Sequence, residues 1–175
     1  FRVSALNSGE WIIRFFLLVM VHLISDCTHL TQCPKLLVRI TCAWSIDVDS
    51  YTSENIEFLL DQYNEIRTIL VPQNTSHLTL VTKIMLGVFG SVPANDRFFK
   101  QTFGDIFKGE CGFSSINTKS LDCLSRFYQS NKLVIDQVSS NRMTVDFNSG
   151  VDTTLPYTKA KVVDMYGFTK AITGT

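Results

Sequence analysis

The segment from Val81 to Gly104, VTKIMLGVFGSVPANDRFFKQTFG, constrains the fold more than any other part of the chain. Its first half repeats apolar residues at three- and four-residue spacing, the pattern of a helix with one buried face. Gly90 and Pro93 then interrupt the pattern, and an aromatic helical run follows Asp96. Gly commonly ends helices, and Pro is tolerated where they begin. The segment therefore predicts two packed helices joined by a turn, with Asp96 in the first turn of the second.

Helical spacing also occurs on both sides of this segment. It predicts an amphipathic helix from Glu54 to about Leu70, with Thr52 or Ser53 as its N-cap. Gly104 is expected to end the aromatic helix. The caps predicted for the other helices are Asn74, Thr75 or Ser76, then Asn117 or Thr118, and finally Thr158 for a last helix bearing Ala160, Val163, Tyr166 and Met165 or Phe168.

Alternating apolar residues near the C-terminus predict a small β-hairpin at about 143–157. Met143, Val145 and Phe147 alternate with polar residues, a turn follows at 148–150, and Pro156 ends the second extended run. The expected fold class is therefore mainly α, a compact helical domain over residues 50–175 with this hairpin near the C-terminus. The predicted core is Leu59, Leu60, Ile84, Met85, Val88, Phe89, Phe99, Leu124 and Phe127.

Residues 1–49 form an N-terminal segment whose pattern predicts little. Its apolar run WIIRFFLLVMVHLIS, from Trp11 to Ser25, is interrupted by Arg14 and His22 and is shorter than the roughly 20 apolar residues of a membrane span. We expect a buried apolar element and no membrane span. A targeting peptide and a membrane-associated helix are the alternatives, which would make the protein secreted or membrane-associated. The chain opens on Phe1 rather than Met, and a further upstream part is expected.

Composition limits the classes of function. Sixteen basic and sixteen acidic residues leave no net charge, and no Lys/Arg run offers nucleic acid a local patch. The five cysteines are odd in number and lack Cys-x-x-Cys spacing, so neither a complete disulfide framework nor a zinc site is predicted. Buried, reduced thiols in a cytoplasmic protein are expected, with no metal and no cofactor.

Three segments carry a resemblance to a known family: LVTKIMLGVFGSVPANDRFFKQTF, INTKSLDCLSRFYQSNK and YTKAKVVDMYGF. Together they resemble a widespread family of uncharacterised bacterial helical proteins. The resemblance spans about Ile56 to Phe168, and the N-terminal part of about 45 residues, upstream of Trp44, does not match. It implies a bacterial origin and a helical fold, and it carries no activity.

Lys83 and Asp96 support one chemical hypothesis. With Val92 and Pro93 they are similar to the Lys and Asp of helix-hairpin-helix DNA glycosylases, in which the amine attacks the sugar of a flipped nucleotide. The Gly-x-Gly hairpin of those enzymes is absent before Lys83. The competing interpretation is structural, because a solvated lysine and a carboxylate early in a helix are both ordinary.

The sequence therefore leaves two classes of function, and whether the protein is an enzyme stays open. The favoured class is a bacterial cytosolic helical binding or accessory module without its own catalysis, acting on an unknown protein partner. The alternative is a nucleic-acid enzyme that acts through Lys83 and Asp96. A concave face that joins Lys83, Arg97, Lys100 and Lys108 beside Asp96 would favour the enzyme.

Overall fold

The computed structural model describes residues 42–71, 77–146 and 148–174. Its helices are α1 (Ser53–Leu70), α2 (Leu78–Ile84), α3 (Arg97–Ile106), α4 (Thr118–Ser130), α5 (Lys132–Asn141) and α6 (Lys159–Thr173). A 3-10 turn at Val48–Ser50 precedes α1, and a π-helical turn at Met85–Phe89 continues α2. The prediction of a mainly α domain is confirmed.

The predicted hairpin is also present. Strands β1 (Met143–Val145) and β2 (Asp152–Pro156) pair antiparallel between α5 and α6. Met143 lies opposite Pro156 and Val145 opposite Asp152, with an irregular register between the two pairs.

Three helix starts follow the predicted caps. The side chain of Thr52 accepts the backbone N–H of Asn55 at 3.2 Å at the start of α1. Asn117 caps α4 by accepting from the backbone of Ser120 at 2.9 Å. Thr158 caps α6. Each cap satisfies one of the donors that a helix leaves open at its N-terminus, so local sequence sets these boundaries.

Two predicted boundaries are wrong. Helix α2 begins at Leu78, and His77 takes the capping position without its side chain accepting a capping hydrogen bond, so the cap is not Asn74, Thr75 or Ser76. Those three residues lie outside the described part of the chain. Helix α3 continues through Gly104 to Ile106. A glycine inside a helix costs only about 1 kcal/mol, which the buried ring of Phe103 in the same turn outweighs.

The predicted core is confirmed in part. Leu59, Met85, Phe99 and Leu124 are buried. The remaining five, Leu60, Ile84, Val88, Phe89 and Phe127, are half-buried, and none is exposed. The π-helical turn adds a residue to one turn of the helix and so rotates the side chains that follow Met85. Trp44 covers this end of the helix, with its ring 6.3 Å from that of Phe89.

Helices α3 and α6 pack closely around an aromatic cluster. The rings of Phe99 and Phe103 stack at 4.4 Å, and Phe113 meets both edge-on. Gly167 of α6 is buried against the stacked pair, where an added Cβ would lie 3.1 Å from both rings. The hydroxyl of Thr102 donates to the carbonyl of Gly167 at 2.7 Å. The absence of a side chain at Gly167 thus sets the approach of the two helices.

The described core begins before residue 50. Ala43, Ile46 and Val48 are buried. The apolar run from Trp11 to Ser25 lies outside the described residues. Within the described ranges, each helix is too short or too polar to cross a membrane.

Candidate functional site

The turn that joins α2 to α3 is the first candidate, because it carries the most distinctive sequence. Gly90 ends the π-helical turn in the left-handed conformation, at a φ of 67°. The five residues that follow, Ser91 to Asn95, are all buried. A turn this deep must place its backbone polar groups on protein partners.

Those partners come from helices α2 and α6 and from Tyr51, which follows the 3-10 turn before α1. The hydroxyl of Tyr51 donates to the carbonyl of Ser91 at 2.6 Å. Thr82 accepts the backbone N–H of Asn95 at 2.9 Å, and the hydroxyl of Thr79 donates to the carbonyl of Asn95 at 3.0 Å. The turn is therefore held by hydrogen bonds at both ends.

Asp164 of α6 supplies the remaining link. Its carboxylate accepts the backbone N–H of Ala94 at 3.1 Å and pairs with Lys161 at 2.9 Å. The Lys-x-x-Asp pair of the closing helix thus fastens α6 to the joint. Tyr51, Thr79, Thr82 and Asp164 thus have structural partners, whereas Ser91 Oγ and Asn95 Oδ1 are buried in the turn without a hydrogen-bond partner among the described residues.

Lys83 and Asp96 lie on either side of this joint. Asp96 is the N-cap of α3, one position before its first turn, and accepts the backbone N–H groups of Phe98 and Phe99, both at 3.0 Å. Lys83 is exposed on α2, and no hydrogen bond or ion pair links it to any residue that the structure describes. This arrangement agrees with the structural interpretation of both residues.

A groove of about 420 Å³ lies elsewhere, lined by Glu110, Lys119, Asp122, Ser125 and Arg126. It contains none of the residues whose clustering would favour the enzyme. Arg126 pairs with Glu110 and lies 3.1 Å from the thiol of Cys123. Its charge is thus partly neutralised within the protein.

The cysteines differ in exposure. Cys123 is buried, Cys111 is half-buried and Cys42 is exposed, and all three are free thiols. The expectation of buried thiols therefore holds for Cys123 only, while Cys27 and Cys33 lie outside the described residues. Burial raises the pKa of the Cys123 thiol. The thiolate is the reactive form, so this cysteine is poorly suited to act as a nucleophile.

Lys159 forms a second polar cluster, at the start of α6. Its ammonium pairs with Asp49 and lies 3.6 Å from Asp136, which accepts the hydroxyl of Tyr128 at 2.9 Å. Burial alone would lower the pKa of Lys159, but the hydrogen bond and charge of Asp49 raise it above the usual value. A lysine held in its charged form is an ion-pair partner, not an amine nucleophile.

Among the described residues, no three His, Cys, Asp or Glu side chains group closely enough to hold a metal ion.

An exposed apolar surface lies across α3 and α6. Phe168 and Ile172 are 48% and 59% exposed on α6, four residues apart and hence on one side of the helix. The ring of Phe98 on α3 meets that of Phe168 edge-on at 5.1 Å. The guanidinium carbon of Arg97 lies 4.7 Å from the centre of the Phe98 ring. We call these four residues the α3–α6 surface.

Sequence analysis missed this surface because α6 has apolar residues on several sides. The buried side follows Ala160, Val163 and Gly167, whereas Tyr166 and Phe168 of the same helix are exposed. This side faces α3 because the large rings of Phe99 and Phe103 fit closely against Gly167, which has no side chain. Gly167 in mid-helix was the available indication, since glycine there needs a packing reason.

No known protein family, curated protein or solved structure matches this chain.

Proposed function

We propose that this chain is a protein-binding module without catalysis of its own, working in the cytosol of a bacterium through the α3–α6 surface. The bacterial setting is what the family resemblance implies. One observation carries the proposal: the exposed ring of Phe168 meets the half-buried ring of Phe98, which lies under the guanidinium of Arg97, on two closely packed helices.

Aromatic residues and arginine are the types most enriched where proteins bind one another. Phe168 and Phe98 already contact each other across two helices, so a partner meets a preformed aromatic surface. By contrast, the backbone of the α2–α3 joint is engaged in internal hydrogen bonds. The segment that resembles a family motif therefore serves the fold. This supports binding over catalysis as the function.

The test uses the purified chain to capture partners from bacterial cytosol, with Phe168→Ser as the surface variant. Leu133→Ser is the matched control, since Leu133 is 86% exposed on α5 and lies outside the α3–α6 surface. A protein retained by the wild type and by Leu133→Ser, lost by Phe168→Ser, and bound again from purified components is the expected result. Circular dichroism and melting curves verify that both variants are folded.

Two results would contradict the proposal. One is capture that Phe168→Ser leaves unchanged. The other is an adduct trapped by borohydride at Lys83 on abasic DNA, because only an amine nucleophile forms that Schiff base. The adduct would establish the glycosylase-like alternative in place of the binding module.

A further inference from the structure

We infer that the α3–α6 surface binds an acidic, amphipathic segment of a protein partner, with apolar side chains on Phe168 and Ile172 and a carboxylate on Arg97. The inference rests on the proposed function and adds the chemistry of the partner. Three properties of the surface support it: its apolar stripe, its rigidity and its charge.

The apolar stripe fits one side of a helix or an extended peptide. Phe168 and Ile172 are one turn apart on α6, and Phe98 widens the stripe across to α3. Amphipathic segments bind such surfaces through apolar residues at helical spacing.

The surface is rigid beneath these side chains. The backbone carbonyl of Gly167, next to Phe168, accepts the hydroxyl of Thr102, and Gly167 itself is buried between the rings of Phe99 and Phe103. Little of the surface must be ordered on binding, which lowers the entropic cost of association.

The charge of α3 favours an anionic partner. Its first turn carries Arg97 and Lys100 and no acidic residue. The N-terminus of a helix has partial positive charge, and the carboxylate of the N-cap Asp96 already offsets it by accepting the backbone N–H groups of Phe98 and Phe99. Neither cation has an ion-pair partner among the residues that the structure describes. A carboxylate from a partner would give Arg97 the ion-pair partner that the described residues do not supply.

The same helix fixes the direction of the partner. Asp105 lies seven residues after Phe98, two turns further along on the same side of α3. A basic side chain, Arg97, thus lies near one end of α3 and an acidic one, Asp105, near the other. Acidic residues of the partner are expected at the Arg97 end.

The binding test uses two fluorescent peptides of about 15 residues, long enough for marginal helices. Both carry the same apolar stripe of Leu, and they differ only in having Glu or Lys at the flanking positions. We expect the Glu peptide to bind about ten-fold more tightly, the effect of roughly one favourable charge pair. Rising salt should weaken the Glu peptide selectively, since salt screens exposed charges.

Variants assign the binding to the surface. Phe168→Ser should weaken the Glu peptide by about thirty-fold, as expected for a central aromatic contact. Arg97→Glu should remove the preference for Glu over Lys, and Leu133→Ser should change neither affinity. Equal binding of the two peptides, or a preference that survives Arg97→Glu, would overturn the inference.

The outcomes also separate this inference from the proposed function. If capture of a protein depends on Phe168 but not on Arg97, the proposed binding module stands and the inference of an acidic partner is excluded. Dimerisation of the chain itself that Phe168→Ser abolishes would likewise overturn the inference, because a second copy would then occupy the surface. Sedimentation velocity at several concentrations measures this dimerisation.

Discussion

Gly90 and Thr158 touch so closely that a Cβ on Gly90 would lie 2.4 Å from the Cγ2 methyl of Thr158. This contact joins the end of the α2 helical segment to the N-cap of α6, and Gly90 also has a φ of 67°. Two separate demands thus fall on one residue: a left-handed backbone and room for a neighbouring side chain. Only glycine meets both without strain.

The first prediction concerns Gly90→Ala, which should lower the free energy of unfolding by about 2–5 kcal/mol. The left-handed backbone accounts for about 1–2 kcal/mol of the loss and the clash with Thr158 for the rest. Urea denaturation measures both this variant and Gly109→Ala. Gly109 has a φ of 83° and nothing within 4 Å of an added Cβ, so it isolates the backbone cost.

A second variant separates the cost of the clash with Thr158 from the cost of the left-handed backbone. Thr158→Ser removes the methyl group and keeps the capping hydroxyl, so in the Gly90→Ala background it should restore part of the lost stability. Equal losses for Gly90→Ala and Gly109→Ala would mean that the contact with Thr158 has no energetic weight.

The second prediction concerns Gly167→Ala, which should destabilise the fold by about 1–2 kcal/mol. The new methyl group would lie 3.1 Å from Phe99 and Phe103, and overpacking of this kind outweighs the gain in helix propensity. Gly104→Ala is the matched control on α3, because nothing lies within 4 Å of its Cβ position. It should stabilise the protein by about 0.5–1 kcal/mol. Thermal melts of the two variants should therefore shift in opposite directions.

Sequence patterns predicted what is determined locally. Thr52, Asn117 and Thr158 were identifiable as caps because a cap needs only its own side chain and the next three residues. The hairpin was identifiable from alternation around a turn. These features depend on neighbours in the chain, which the sequence displays directly.

Contacts between distant residues were not predictable in the same way. The carboxylate of Asp47 accepts the backbone N–H groups of Lys159 and Ala160 at 2.7 and 2.8 Å, more than a hundred residues further along. The orientation of α6 depends on where Gly167 meets α3, and apolar residues on several of its sides left that open. The α3–α6 surface was missed for this reason, since tertiary packing leaves its apolar residues Phe98, Phe168 and Ile172 exposed or half-buried.

The third prediction concerns Asp96→Asn, which should cost about 0.3–1 kcal/mol, the size of a helix-dipole interaction. Asparagine keeps an acceptor for the backbone of Phe98 and Phe99, so only the charge is lost. Asp96→Ala removes the cap as well and should cost about 0.5–2 kcal/mol. Chemical denaturation of both variants gives the comparison.

Asp105→Asn is the control for this charge effect. Asp105 lies near the C-terminal end of α3, where a negative charge opposes the dipole, so its removal should be neutral or slightly stabilising. A loss of partner binding by Asp96→Asn at unchanged stability would show that the carboxylate has a role outside the fold.

The last prediction concerns the pH dependence of stability, in which Asp47 and Asp146 should act with opposite sign. Burial raises the pKa of Asp47 in the folded state, although backbone N–H groups partly oppose the effect. Its contribution to stability is therefore fully present below the pKa of the unfolded chain, near 4, and is lost as the pH rises through the folded value. The pKa of Asp146 is lowered by the backbone N–H of Asn148 and the hydroxyl of Ser149, so its contribution is lost as the pH falls.

The experiment compares the free energy of unfolding of the wild type with that of Asp47→Asn and of Asp146→Asn between pH 3 and 7 at fixed ionic strength, a range that brackets the usual carboxyl pKa of about 4. Relative to the wild type, Asp47→Asn should become less stable as the pH falls, because it lacks the proton that the folded state binds more tightly. Asp146→Asn should become more stable relative to the wild type as the pH falls, in the more acidic part of this range. The loss of acceptor oxygens adds a pH-independent offset to the free energy of unfolding of each variant. The comparison therefore uses the slopes of that free energy against pH. Parallel slopes for the two variants would contradict the assignment, since burial at one carboxyl and hydrogen bonding at the other require slopes of opposite sign.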